Sequence, residues 1–389
     1  MSINGRAHIV GAYEHPLREI PDASIAQIHA EVARGALADA GLAPSDVDGF
    51  FCAMDAPGFG PVTLLEYIGL KPSYMDTTEL GGASYVSHVG HAAAAIAMGK
   101  CSVALITLAG KPRTGGAPPG GSMRGPAAPE APFELPYGPT TVAMYAMAAQ
   151  RHMYEYGTTS RQLAEVKVAA SYHAQFNPHA FLRTPVTVDE VVDSPLVSDP
   201  LHRLDCCIIT DGGGALVVVS PEIARQLPRR SVKVLGHGES SKHMNNGRID
   251  LTYTGARWSG PRAFEEAGVT PKDIRYASIY DSFTITALEA IEDLGFCEKG
   301  KGGEFVQDGA LQAPFGRLPF NTDGGGLSNN HPANRGGMTK VIEAVRQLRG
   351  EAAPEVQVPN CDIALAHGTG GSLGSRMGSA TLILGGEDA

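Results

Sequence analysis

The chain contains no run of lysine or arginine, and its net charge is −10 with a pI near 5.7. A surface that neutralises phosphates needs clustered cations, which argues against a nucleic-acid partner. No segment approaches the roughly 18 apolar residues of a membrane span. Met1 to His15 lacks the apolar stretch of a secretory signal. We therefore expect a cytoplasmic protein without a membrane partner. Cysteine is sparse too. The six present (Cys52, Cys101, Cys206, Cys207, Cys297 and Cys361) form no Cys-x-x-Cys pair and show no ligand spacing with histidine. Neither a metal site nor a disulfide framework is indicated, and buried core thiols are the plain reading.

What the chain has in quantity is glycine, 48 residues, and proline, 27, gathered between apolar runs. That is how an α/β protein with functional loops reads. An internal repeat organises it. A helix that begins near Ser24 runs through Ala36-Leu-Ala-Asp-Ala-Gly41, followed by Leu-Ala-Pro44-Ser-Asp46. Ala263-Phe-Glu-Glu-Ala-Gly268, followed by Val-Thr-Pro271-Lys-Asp273, has the same build. In both copies glycine stops the helix, and proline and aspartate lead into a strand. Strands at 7–11 and 232–236 precede the two copies. Each half also closes alike, with a helix (89–98 or 338–348) feeding a strand (102–108 or 362–366) before a last buried strand (213–220 or 380–384). Continuous apolar strands alternating with helices predict a mostly parallel sheet covered on both faces. We expect two similar halves, 1–220 and 231–389, the first carrying an insertion at about 111–200.

Residues 111–138 of that insertion are rich in proline and glycine but lack the Gly-Lys-Ser/Thr ending of a P-loop. Residues 140–182 read as helices, with a helix start in Thr158–Glu165. Long insertions on α/β scaffolds form lids or ligand-binding loops.

Four segments, taken in order, resemble the thiolase superfamily and its sterol-carrier-protein branch. They are Gly81-Gly-Ala-Ser-Tyr-Val-Ser-His-Val-Gly-His91 before an alanine-rich helix, Leu204-Asp-Cys-Cys-Ile-Ile-Thr-Asp-Gly-Gly-Gly214, and Tyr280-Asp-Ser-Phe283. The last is Asn321-Thr-Asp-Gly-Gly-Gly-Leu-Ser-Asn-Asn-His-Pro332, followed by Ala366-His-Gly-Thr-Gly-Gly371. The resemblance implies a thiolase fold, two similar halves in a five-layer αβαβα arrangement, a dimer, and a coenzyme A site under the insertion. It also implies positions for the chemistry. In thiolases a cysteine at the start of the buried helix of the first half attacks the thioester; here that place falls at or beside Gly82, and no cysteine stands between Cys52 and Cys101. Ser84 lies beside it, but a hydroxyl is far less acidic than a thiol, so acyl-enzyme chemistry is not expected.

Tyr280 stands where sterol-carrier thiolases carry the His of His-Asp-Cys-Phe, at the end of a strand, where α/β active sites lie. His331 matches the histidine that binds the thioester oxygen and moves protons. His367 falls at or next to the second thiolase cysteine, and the N–H groups of Gly368, Gly370 and Gly371 are expected to form an anion site. The tyrosine, the missing nucleophile and the Gly-Gly-Ala-Ser-aromatic stretch resemble the steroid side-chain aldolases of the lipid-transfer-protein group. These cleave a β-hydroxyacyl-CoA by retro-aldol chemistry and work with a small OB-fold, zinc-ribbon partner. That chemistry needs a base for the β-hydroxyl, an anion site for the enolate and an acid to quench it. Tyr280 is expected as the base, its pKa lowered by a nearby positive histidine or dipole. His331 and the glycine run are expected to hold the enolate oxygen. No resident cofactor, metal or Schiff-base lysine is called for; the coenzyme A thioester is the substrate. His88 and His91 stand at metal-like spacing without a third ligand, so packing beside the site is expected. Asp211 and Asp281 read as loop holders. Lys111, Arg113, Arg124 and Arg161 are candidates for the coenzyme A phosphates. Two other classes remain: a thiolase-type acyltransferase, and a non-catalytic acyl-CoA or lipid-binding subunit.

Overall fold

The computed structural model describes residues 2–116, 129, 131–245, 248–332, 336–372, 375–387 and 389. The first half runs β1 (His8–Glu14), α1 (Ile25–Ala40), β2 (Gly49–Phe51), α2 (Pro61–Ile68), β3 (Tyr74–Asp76), α3 (Ser84–Ala97) and β4 (Val103–Gly110). The insertion contributes α4 (Thr141–Tyr156) and α5 (Ser160–Ala174), and β5 (Gly212–Val219) follows it. The second half runs β6 (Val232–Lys242), α6 (Ala256–Ala267), β7 (Tyr276–Ile279), α7 (Thr284–Asp293), α8 (Gly337–Arg349), β8 (Ile363–Ser372) and β9 (Ser375–Gly385).

The repeat seen in the sequence is built identically. Gly41 and Gly268 end α1 and α6 at φ 72° and 71°, the left-handed conformation that suits glycine. Pro44–Asp46 and Pro271–Asp273 then form single 3-10 turns. Each turn is closed by its aspartate, Asp46 accepting the Ala43 N–H and Asp273 the Thr270 N–H, both at 2.8 Å.

The nine strands form one ladder in the order β3-β2-β4-β5-β1-β6-β9-β8-β7. It is pinched at its middle, where β1 and β6 share only the pairs His8–Lys233 and Ile9–Val232. The expected mostly parallel sheet is in fact mixed. β2 runs parallel to β3 and β4, and β7 to β8, but β5 is antiparallel to both β1 and β4, and β9 to both β6 and β8. For β9 the reason is the two residues that separate it from β8, since so short a link joins only antiparallel strands. Apolar periodicity carries no strand direction.

Three cores mark the layers. One packs α3 and α8 between the two wings of the sheet, joining Val86, Val89 and Val341 to Ile106, Val218 and Leu382. A second lies between α1 and the outer face of the first wing, and a third between α4–α7 and the outer face of the second. Helix, sheet, helix, sheet, helix is the five-layer order expected. The insertion reaches across to the second half, where the buried Lys167 on α5 donates to the Leu327 carbonyl (2.7 Å) and Ser328 Oγ (2.9 Å). Those residues belong to a π-helical turn, Gly325–Asn329, that leads directly to His331. No helix among the described residues is long and apolar enough to cross a membrane.

Candidate active site

Tyr280 follows the last residue of β7, and its N–H closes the ladder on the His367 carbonyl at 3.0 Å. Its phenol is buried and lies 2.8 Å from His331 Nε2. Burial pushes the His331 imidazole down to about 4, with the Asp281 carboxylate opposing and the Lys340 ammonium adding to the fall. At neutral pH the ring is therefore uncharged. Burial thus disfavours the positive histidine expected to acidify Tyr280, and the ring tautomer sets which partner donates across the phenol–Nε2 contact.

Both residues are held from behind. The His331 N–H donates to Thr210 Oγ1 (2.8 Å), whose own hydroxyl donates to Asn330 Oδ1 (2.7 Å). Next to Tyr280, Asp281 accepts the N–H groups of Gly326 (2.8 Å) and Leu327 (3.2 Å) and forms an ion pair with Lys340 Nζ at 2.9 Å. Asp281 thus holds a loop, as its sequence context predicts. Lys340, Thr210 and Asn330 escaped the sequence reading. Lys340 alone left a signal, a lone cation set between Met338 and the apolar pair Val341 and Ile342 on α8.

Gly82 lies against the phenol. A Cβ there would meet the Tyr280 ring at 2.6 Å and the Thr369 carbonyl oxygen at 2.1 Å, so no side chain fits. Gly336 approaches the same pair, its Cβ position lying 3.2 Å from the Tyr280 ring and 3.4 Å from the His331 ring.

Comparison with known proteins gives the family. Residues 238–386 match the family model of the thiolase C-terminal domain. A protein of Methanothermobacter thermautotrophicus named acetyl-CoA acetyltransferase is 33% identical over 379 residues, covering 94% of this chain and 97% of that one. The chain belongs to the thiolase superfamily. A steroid side-chain-cleaving aldolase of Thermomonospora curvata is 36% identical over 360 residues, 89% of this chain and 91% of that one. The solved structure of the Ltp2-ChsH2(DUF35) aldolase superposes with a TM-score of 0.89 at 33% identity, covering 99% of both chains. Within the superfamily this places the chain in the sterol-carrier-protein and side-chain-aldolase branch.

Against that family the remaining expected residues sort clearly. His367 is not brought to the Tyr280–His331 pair. Along β8, Ala364 and Ala366 face the central core and Leu365 the outer one, so His367 points outward. Its Nδ1 lies 2.9 Å from Thr381 Oγ1, and burial drives it down to about 3. Gly368 is the position that faces the site, its Cβ direction ending 2.6 Å from the Gly82 carbonyl oxygen. The glycine run is a strand and not a loop: Gly368, Gly370 and Gly371 pair with Ala380, Gly378 and Met377. The carbonyls of Ile363 and His367 point towards β7, so strand alternation turns the N–H groups of Gly368 and Gly370 into the β9 ladder. The N–H groups on the open edge are those of Thr369 and Gly371. Ser84 is buried and accepts the Leu80 N–H at 2.8 Å, which ties down the glycine turn before α3.

The candidate phosphate ligands have other partners. Lys111 Nζ donates to the Pro21 and Ala23 carbonyls (3.0 and 2.5 Å), Arg113 pairs with Glu19, and Arg161 pairs with Asp189 at 2.7 Å. Arg124 lies outside the described residues. Asp211 holds loops, accepting N–H groups from Ile20, Arg113 and Thr114. His88 accepts the Thr78 N–H at 3.2 Å, and His91 pairs with Asp76 and Glu239 at 3.2 and 3.1 Å. No group of three metal-ligating side chains exists among the described residues.

Proposed function

We propose that the chain is an acyl-CoA carbon–carbon lyase that cleaves a β-hydroxyacyl-CoA, a steroid side chain in the favoured reading, to a carbonyl product and a shorter acyl-CoA. One observation carries this reading: the Tyr280 phenol fills the space into which a nucleophile at Gly82 would project. The pocket thus holds a hydrogen-bonded acid–base pair in place of a thiol.

In the proposed reaction the substrate's β-hydroxyl proton passes to the Tyr280 oxygen while the phenol proton moves to His331 Nε2. The Cα–Cβ bond breaks, its electron pair forming the thioester enolate as the β-carbon becomes a carbonyl. The enolate oxygen is held at the open edge of β8, where the Thr369 and Gly371 N–H groups lie. The proton then returns through the same pair to Cα, so a proton has moved from oxygen to carbon and none is consumed. Because His331 Nε2 faces the phenol, it serves as proton acceptor in this scheme and not as the enolate's donor.

The solved neighbour is an assembly with a DUF35 protein. We infer that this chain, too, works with a DUF35-type subunit, and extend the proposal to a homodimeric core with a small OB-fold, zinc-ribbon partner. The acyltransferase reading draws on the name of the archaeal relative. It lacks a nucleophile: Cys52 and Cys101, the cysteines flanking the Gly82 segment, are buried, and burial pushes both thiols up to about 12.

The test is product analysis. A steroid β-hydroxyacyl-CoA incubated with the chain and its co-purifying partner should give equal amounts of ketone and shortened acyl-CoA. Intact-protein mass spectra taken during turnover should show no acyl adduct. Thiolysis of a β-ketoacyl-CoA through an acylated chain would overturn the lyase.

A further inference from the structure

The proposed acid–base pair belongs wholly to the second half, yet the first strand of the first half reaches it. Glu14 is the last residue of β1, and its carboxylate is buried behind the His331 loop. Oε1 accepts the Asn330 Nδ2–H at 2.8 Å and Arg18 Nη2–H at 3.0 Å; Oε2 faces Arg346 Nη1 at 3.3 Å. Burial opposes ionisation here, but the Arg18 and Arg346 guanidiniums overcome it and hold the carboxyl at about 2. Arg18 in turn binds the neighbouring Asn329, donating to its Oδ1 at 2.8 Å and to its carbonyl at 3.1 Å.

The consequence lies in Asn330. With its Nδ2 committed to Glu14, its Oδ1 is aimed at Thr210, accepting that hydroxyl's proton at 2.7 Å. A hydroxyl that donates there presents its lone pairs elsewhere, and one of them takes the His331 N–H at 2.8 Å. Three hydrogen bonds of ordinary length thus join four groups, Glu14, Asn330, Thr210 and the His331 backbone. The series alternates between the halves, Glu14 and Thr210 from the first and Asn330 and His331 from the second, at the end of β1 away from the β1–β6 join. Gly212 leaves room for it, since its Cβ direction ends 3.1 Å from Asn330 Oδ1.

We propose that Glu14 is a positioning residue for His331: its carboxylate orients Asn330, and through the Thr210 hydroxyl fixes the His331 backbone at the distance from which the ring meets Tyr280. This rests on the lyase reading and on the Tyr280–His331 pair as its proton relay. A misplacement of about 1 Å at such a pair lowers turnover by about 10²-fold, while substrate affinity, set elsewhere, stays nearly constant.

The experiment is a double-mutant cycle measured in the native assembly: Glu14→Gln, His331→Asn, and both together, with kcat and KM for a β-hydroxyacyl-CoA. Glu14→Gln should lower kcat about 10-fold to 100-fold with KM changed less than about threefold, and should have no further effect on kcat in the His331→Asn background. Should Glu14→Gln fail to fold, Thr210→Val cuts the same relay while leaving both arginine pairs of Glu14 intact, and the same pattern is expected. An equal loss of kcat in both backgrounds, or no loss in either, overturns the positioning role. If His331→Asn itself leaves kcat intact, the proton-relay reading fails instead, and the two failures are told apart.

Discussion

Gly11 and Gly236 hold equivalent places in the two halves: a Cβ on either would lie 2.2 Å from a carbonyl oxygen of the facing helix, that of Ala36 for Gly11 and that of Ala263 for Gly236. The repeat is therefore enforced by sterics as well as by helix stops, because each helix lies so close to its strand that only glycine fits beneath it. Gly11→Ala and Gly236→Ala should each destabilise the chain by about 1–3 kcal/mol, the usual cost of overpacking. Equal cost at both sites, read from urea unfolding, would identify them as one structural device used twice.

Tyr280→Phe removes one oxygen and keeps the ring that packs on Gly82 and Gly336. As loss of the general base it should lower kcat by roughly 10²–10⁴ with little change in melting temperature. The double variant with His331→Asn should lose much less than the product of the two single losses, because both residues serve one proton transfer. A tyrosine of purely structural value would show the reverse, with a lowered melting temperature and kcat per folded molecule unchanged.

Lys340 and Asp281 form an ion pair with both side chains essentially buried. Lys340→Met leaves the Asp281 carboxylate without its counter-charge and should cost about 3–5 kcal/mol. Asp281 also carries two backbone N–H groups, so Asp281→Leu should cost more stability than Lys340→Met and should disturb the turn before His331. Denaturant midpoints of the two variants give the order directly.

Five histidines held neutral mainly by desolvation weaken the fold in acid. His88, His173, His237 and His331 are pushed down to about 4 and His367 to about 3, with burial the largest cause in each. Each takes up protons more readily in the unfolded chain than in the folded one. Their contribution is intact above about pH 6.5 and is lost as pH falls towards 4. His91, raised to about 9 by Asp76 and Glu239 against the effect of burial, behaves oppositely, its contribution present below about 6.5 and lost as pH rises through 9. Melting temperature should accordingly fall steeply on the acid side, from about 6.5 downward, and only gently on the alkaline side. Glu343, raised to about 7 mainly by burial, opposes this fall, so the check is made in Glu343→Gln, where a flat profile between pH 4 and 7 would contradict the neutral rings.

How far the sequence could be read depended on the kind of signal. The repeat was legible because a glycine stop, a proline and an aspartate each impose a local conformation wherever they occur. Tyr280 and His331 were legible because the segments around them resemble thiolase motifs. Strand direction was not, since β5 and β9 have the same apolar composition whichever way they run. The register of His367 was ambiguous by one residue, and in a strand one residue exchanges the two faces, which is why Gly368 faces the site in its place. The partners of Lys340 and Glu14 were not legible for another reason: they are 59 and 316 residues away in the chain, as Lys340–Asp281 and Glu14–Asn330.

The empty position at Gly82 also bears on where such a chain can go next. A Gly82→Cys change alone collides with the Tyr280 ring and with the Thr369 backbone. Removing Tyr280 first discards the proposed proton relay before any thiol exists to replace it. Descent from a thiol enzyme can pass through a glycine at this position, but the return route crosses an intermediate that has neither chemistry. On the proposed scheme the tyrosine acts as a one-way latch: while it stands, no thiol fits at Gly82 and cleavage runs without a covalent acyl intermediate.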